Sequence, residues 1–178
     1  MTEIQELLAI EEIKKLFARR VRYMDLKQWH MYGSVHTEDA WSETYGDLPD
    51  DKQPVADGRK NKVAGPEALA NAIRNFCEGK HPLITCHHAH QPEIEITSDT
   101  TATGIWPMED HLWWQNGDKE EFLHGYGHYY ENYRKVDGEW LICYRKLTRL
   151  KVDTSANFYD RLKSMGSESL IFESNQQL

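Results

Sequence analysis

Residues 101–152 read TATGIWPMEDHLWWQNGDKEEFLHGYGHYYENYRKVDGEWLICYRKLTRLKV. Side chains alternate with a period of two, the spacing of a pleated strand. Asn116-Gly117 and Asp137-Gly138 interrupt the alternation, and both are strong hairpin dipeptides. The stretch therefore predicts three long antiparallel strands, at 101–115, 120–136 and 139–152. Two more candidates precede it, at 83–90 and 92–97, with Ser98-Asp99 as the turn that follows.

Upstream the period changes. Ile10, Ile13, Phe17, Val21 and Met24 recur every three or four residues, the apolar stripe of an amphipathic helix. Thr2 and Gln5 open that helix with a capping-box pattern, and Asp25 stands where the stripe ends. A short second helix is predicted from Leu26 to about Val35. Trp41, Glu43 and Tyr45 alternate like a strand, and 46–62, rich in Asp, Pro and Gly, reads as a long loop. Gly65-Pro66 begins a further helix, with proline at its first position; its buried face is Leu69, Ala72, Ile73 and Phe76, and it ends at Gly79. Helices first and long strands after predict an α+β fold, helices on one face of a curved, mostly antiparallel sheet. One domain over 1–152 is expected. Residues 153–178 form a C-terminal extension in which Tyr159, Leu162 and Met165 suggest a short helix before a frayed end.

The chain has 178 residues and a formal net charge of −8, with 9 His, 6 Trp, 9 Tyr and 5 Phe. An acidic chain is a poor match for tracking phosphates, so no nucleic-acid partner is expected. Three cysteines without CxxC spacing argue against a disulfide framework or a zinc ribbon. The acidic N-terminus lacks the pattern of a secretory signal, and no apolar run approaches the roughly 20 residues that span a bilayer. A cytoplasmic protein with no membrane partner is expected.

Seven of the nine histidines lie between His81 and His128, so the surplus needs an explanation. His88-Ala-His90 followed by Glu95 has the spacing of the cupin metal motif. The flanking glycines of that motif are missing, and the helices precede the strands, so no metal is expected. The more informative residue is Asp110. It interrupts the row Trp106, Met108, Asp110, Leu112, Trp114, and a carboxylate on an apolar face requires a partner or a raised pKa. A register slip turning it to solvent is the alternative. His87 faces opposite to His88 and His90 on its strand. Arg149 alternates with Leu147 and Arg145 on the last strand, and as a bland alternative is a surface cation. The ladder Phe122, His124, Tyr126, His128, Tyr130 reads as core or subunit interface, with His124 and Tyr126 also candidates to line a cavity. Tyr129, Tyr133 and Leu141 are then assigned to the outer face.

Several segments resemble the SnoaL-like branch of the NTF2-like superfamily. They are Ile10 to Phe17, Tyr23-Met24-Asp25 with Trp29, and Glu38-Asp39-Ala40-Trp41. The stretch His90 to Ile96, with Thr101 to Gly104 and Trp106 to Asp110, is similar to bile acid 7α-dehydratase; Val136 to Trp140 matches the hairpin before the last strand. The resemblance covers about 5–152. It implies a cone of helices capping the sheet, and it implies His87, Asp25, Asp110 and Arg149 as the catalytic group. Arg20 stands where that relative has a catalytic tyrosine, a permanent cation in place of a phenol; Tyr23, Tyr45 or Tyr126 would then supply a phenol.

The expected function is a cofactor-independent lyase acting on a small hydrophobic or aromatic substrate with a ring, such as a steroid, polyketide or phenolic. The reaction would be dehydration or a related elimination such as retro-aldol loss of formaldehyde. Arg20, Tyr23, Tyr45, Trp106, Met108, His124 and Tyr126 would contact the substrate. An isomerase or cyclase of the same fold, or a non-catalytic ligand-binding module, are the alternatives. Hydrogen-bond reach between His87 and Asp25 inside a cavity separates enzyme from binding module. A homo-oligomer, dimer or trimer, is expected.

Overall fold

The computed structural model describes residues 1–43 and 63–163. Tyr45, the 46–62 loop and Met165 lie outside the described residues. The elements run α1 (Glu3–Asp25), α2 (Trp29–Gly33), β1 (His36–Ser42), β2 (Val63–Ala64), α3 (Pro66–Cys77), β3 (Ile84–Ala89), β4 (Glu93–Ile96), β5 (Thr101–Asn116), β6 (Lys119–Val136), β7 (Glu139–Thr154) and α4 (Asp160–Lys163). The α+β class is as expected: α1 and α2, then β1 and β2, then α3 precede the five remaining strands, and all the strands join one curled, unclosed sheet in the order β2-β1-β7-β6-β5-β3, with β4 on the other half of β5. Among the described residues all pairings are antiparallel except β1 with β7, which is parallel. No helix among the described residues is long and apolar enough to cross a membrane.

Local signals explain most element ends. Gln5 N–H donates to Thr2 Oγ1 and Thr2 N–H to Gln5 Oε1, closing the capping box of α1. Pro66 occupies the first turn of α3 behind Gly65, whose φ of 90° suits glycine. Asp137 and Gly138 both have positive φ, and Val136 pairs with Glu139 across that turn. The other turn falls one residue later than the dipeptide suggests: Asn116 pairs with Lys119, so Gly117-Asp118 is the loop.

The buried face of α1 is Ala9, Ile13, Leu16, Phe17, Arg20, Tyr23 and Met24. It is rotated from the predicted stripe, because Arg20 takes the inner place and Val21 lies at the flank. This face meets Ala102, Trp106, Met108, Tyr129, Tyr133, Trp140 and Ile142 of the sheet in the main core. Phe17 stacks on Trp106 with ring centroids 3.9 Å apart. A second cluster joins Leu83, Leu112, Trp114, Leu123 and Phe158, so the chain after β7 packs back on the sheet, and β7 itself runs two residues past the expected limit of 152.

The inner row of β6 is Glu121, Leu123, Gly125, Gly127, Tyr129, Glu131 and Tyr133. This reverses the expected faces. Tyr129 and Tyr133 are buried core, whereas Phe122, His124, Tyr126, His128 and Tyr130 form the outer row. The inner row includes Gly125, Gly127 and Glu131, which leave room for or pair with the charged groups described below.

Candidate active site

α1 and β3 meet at Asp25 and His87. Asp25 is the last residue of α1 and His87 is in the middle of β3. His87 Nδ1 lies 2.6 Å from Asp25 Oδ1, and the His87 backbone N–H donates to Asp25 Oδ2 at 2.9 Å. Thr85, two residues earlier on the same face, donates its hydroxyl to Oδ1 at 2.9 Å and accepts from Lys27 Nζ at 2.8 Å. Burial alone would raise the Asp25 pKa. The hydrogen bonds and charge from His87, with Thr85, outweigh it and hold the carboxyl below its ordinary value. Asp25 therefore stays ionised, fixes the ring and leaves Nε2 as the nitrogen it does not engage.

Asp110 faces His87 in the β3–β5 register and is 2 % exposed. Its partner is Arg149, reaching across from β7. The guanidinium grips the carboxylate in a two-point fork, Nη1 to Oδ1 at 2.7 Å and Nη2 to Oδ2 at 2.6 Å. Burial works against the Arg149 charge, and Asp110 more than offsets it, so the arginine pKa is raised. Between the two strands lies β6, whose Gly125 makes the fork possible. A β-carbon there would overlap Arg149 Nη1 and Asp110 Oδ1. Gly127 is equally constrained, since its β-carbon would overlap the Thr148 carbonyl beside the β6–β7 register shift.

A dyad and an arginine-held carboxylate thus lie on the helix-covered face of a half-closed sheet. The family model for a SnoaL-like domain matches residues 5–146. The chain belongs to the SnoaL-like family. Solved structures of the same fold include a scytalone dehydratase-like protein from Novosphingobium aromaticivorans, 17% identical over 85% of this chain and 91% of that one, TM-score 0.69. A type 2 hexachlorocyclohexane dehydrochlorinase, LinA, is 17% identical over 87% and 94%, TM-score 0.70. ActVI-ORFA from Streptomyces coelicolor is 15% identical over 80% and 97%, TM-score 0.62.

In this SnoaL-like chain the other expected contact residues divide. Trp106 and Met108 are inward and buried; Trp106 Nε1 donates to Tyr133 Oη at 2.7 Å, and Met108 Sδ lies 3.9 Å from Arg149 Nη1. Tyr23 is buried in the core, with the Arg22 guanidinium 4.9 Å from its ring centroid. His124 and Tyr126 are on the outer face, away from His87, because β6 has the opposite parity to the one assumed. Tyr45 lies outside the described residues.

Arg20 also departs from expectation. It is wholly buried, its Cζ 4.6 Å from the ring centroids of both Phe17 and Tyr129, and its Nε is 3.3 Å from Glu131 Oε1. Tyr133 donates to Glu131 Oε2 at 2.8 Å, and Arg145 Nη1 to Tyr32 Oη at 2.6 Å. Burial opposes the Arg20 charge, and Glu131 with the Tyr32 and Tyr129 hydroxyls together outweigh it, so its pKa is raised. The cation is thus neutralised inside the core rather than presented to a substrate.

Thr85, Lys27 and Glu131 are the supporting residues that pattern reading did not find. Thr85 was findable, two positions from His87 on the same strand face. Gly125 and Gly127, interrupting the β6 row, signal a bend or close packing, and the structure shows that what packs against Gly125 is the Asp110–Arg149 fork.

Proposed function

We propose that the protein is a cofactor-independent lyase that removes water, or a comparable small leaving group, from a hydrophobic ring-bearing substrate. The observation that carries this reading is the 2.6 Å link between His87 Nδ1 and an Asp25 carboxylate held ionised. A base oriented in this way is built to take a proton rather than only to fill space, which favours an enzyme over a binding module.

The chemistry follows from the geometry. His87 Nε2 takes a proton from the carbon beside a carbonyl or ring that stabilises the resulting anion. The freed electron pair forms the new double bond as the bond from the neighbouring carbon to its hydroxyl breaks. The departing oxygen takes a proton from the imidazolium, so water leaves and His87 returns to its starting form. Asp25 stabilises the imidazolium between the two transfers. Arg149 spends two N–H groups on Asp110 and keeps others for a developing oxyanion, with Asp110 fixing its direction. Names of fold relatives support this class: one is scytalone dehydratase-like and another a dehydrochlorinase.

The test is turnover of a panel of steroid, polyketide and phenolic alcohols with the products identified by mass. Loss of water is the expected result; an unchanged mass would indicate isomerisation or cyclisation instead. His87→Ala is expected to reduce turnover by about 10²–10⁴-fold, and Asp25→Asn to reduce it as well. A His87→Ala variant with full activity on the true substrate would remove the base assignment.

A further inference from the structure

β3 and β5 carry the dyad histidine and Asp110 on their inner face, and the residues flanking these two point outward. Cys86 and His88 bracket His87; Glu109 and His111 bracket Asp110. The register pairs Cys86 with His111 and His88 with Glu109, so the four form a patch on the back of the same two strands. His88 Nδ1 is 3.3 Å from Glu109 Oε1, and His111 Nε2 is 3.6 Å from Glu109 Oε2. The ligand atoms of His88, Glu109 and His111 all lie within 4.8 Å of one another.

We propose that His88, Glu109 and His111 form a binding site for a divalent transition-metal ion of the zinc class on the outer face of the sheet. Zinc bonds to imidazole nitrogen and carboxylate oxygen are about 2.0–2.2 Å, which sets a tetrahedral edge of roughly 3.3–3.6 Å between ligand atoms. The two observed spacings are of that size, one to each oxygen of Glu109. Two imidazoles and one carboxylate favour zinc-like ions over magnesium or calcium, which take oxygen ligands.

Two further observations point to a ligand. His111 Nε2 is shielded from solvent and has no hydrogen-bond partner among the described residues; it faces a carboxylate at a distance too long for a hydrogen bond and suited to an ion between them. Cys86 Sγ lies 3.4 Å from His88 Nε2. An Nε2–H donated to sulfur leaves the Nδ1 lone pair directed at Glu109, an arrangement that a shared cation makes favourable. A partner on the second ring nitrogen is the usual support of a metal-bound histidine. The set differs from the spacing motif of the sequence. Glu95 pairs with Thr103, six positions along β5 from Glu109 and about 20 Å away at the rise of a strand. The structure thus replaces His90 and Glu95 by Glu109 and His111.

Position gives the site its meaning. An ion there would clamp β3 to β5 directly behind His87 and Asp110, through the residues on either side of each. Binding does not depend on the lyase reading, and its test does not use turnover. Protein stripped with a chelator is titrated with Zn²⁺ by calorimetry, and its metal content is measured after dialysis. One Zn²⁺ per chain is expected, with a raised Tm. His111→Ala and Glu109→Gln, both on the sheet surface, should weaken binding by at least about 10-fold and lose the Tm shift. X-ray absorption of the zinc-loaded parent should count two imidazoles, a readout that needs no variant. No retained zinc, fewer than two imidazoles, or equal binding by folded His111→Ala overturns the proposal.

Discussion

Gly125 is a residue whose contribution is the side chain it lacks. The Asp110–Arg149 fork occupies the space above its Cα, so Gly125→Ala forces the fork apart while leaving the β6 ladder in place. Overpacking of this kind costs about 1–3 kcal/mol. We expect a folded variant with a lower Tm and a larger relative loss in kcat/KM, checked by thermal unfolding beside turnover. At this scale the sequence was legible where a residue broke a pattern. Asp110 interrupts an apolar row, Asp25 ends an apolar stripe, and the structure gives each a partner at hydrogen-bond distance. Arg20 escapes a pattern reading because arginine is ordinarily a surface residue. Its place in the core depends on Glu131, 111 positions away and invisible to any local period.

Among the elements, β6 shows how one strand can be found and its faces still be exchanged. Its limits agree to within a residue with the turn signals, yet its aromatic row is the outer one. Hydrophobicity fails as a guide here because the inner row must carry Glu131 and leave room at Gly125 and Gly127. The parallel β1–β7 pair was not foreseen either: parallel pairing needs no hairpin signal, and Ile142 N–H meets the Val35 carbonyl across 107 positions. Glu131 offers the test at this scale. It joins β6 to α1 through Arg20, and removing one partner of a buried ion pair costs about 3–5 kcal/mol. Glu131→Leu should lower the urea midpoint accordingly, and Arg20→Met in the same chain should restore much of the loss. Full additivity of the two would show that the pair is not coupled.

Over the whole molecule, burial of cations has a consequence for acid stability. His36 is 5 % exposed; burial, then the charges of Arg145 and Arg20, lower its pKa from 6.5 to about 3, against the opposing hydrogen bond from its Nδ1 to the Tyr32 carbonyl. The folded chain therefore keeps His36 neutral where the unfolded chain protonates it. Stability is complete above about pH 6.5 and falls as pH drops toward 3, by up to about 1.4 kcal/mol per unit. His36→Gln should flatten that slope in denaturant titrations from pH 7 to 5; an unchanged slope would mean that another group sets it. The depressed Asp25 pKa acts in the same direction but lower, its contribution present above about pH 4 and lost as pH falls through the folded value. The Asp25 contact to the His87 amide has one more effect. Among the described residues β3 is an edge strand, bonded to β5 on one side only, and an open row of amides is a template for a strand from another molecule. The carboxylate that holds the imidazole also occupies the His87 amide, so the Asp25 side chain guards this edge of the sheet against a strand from another molecule.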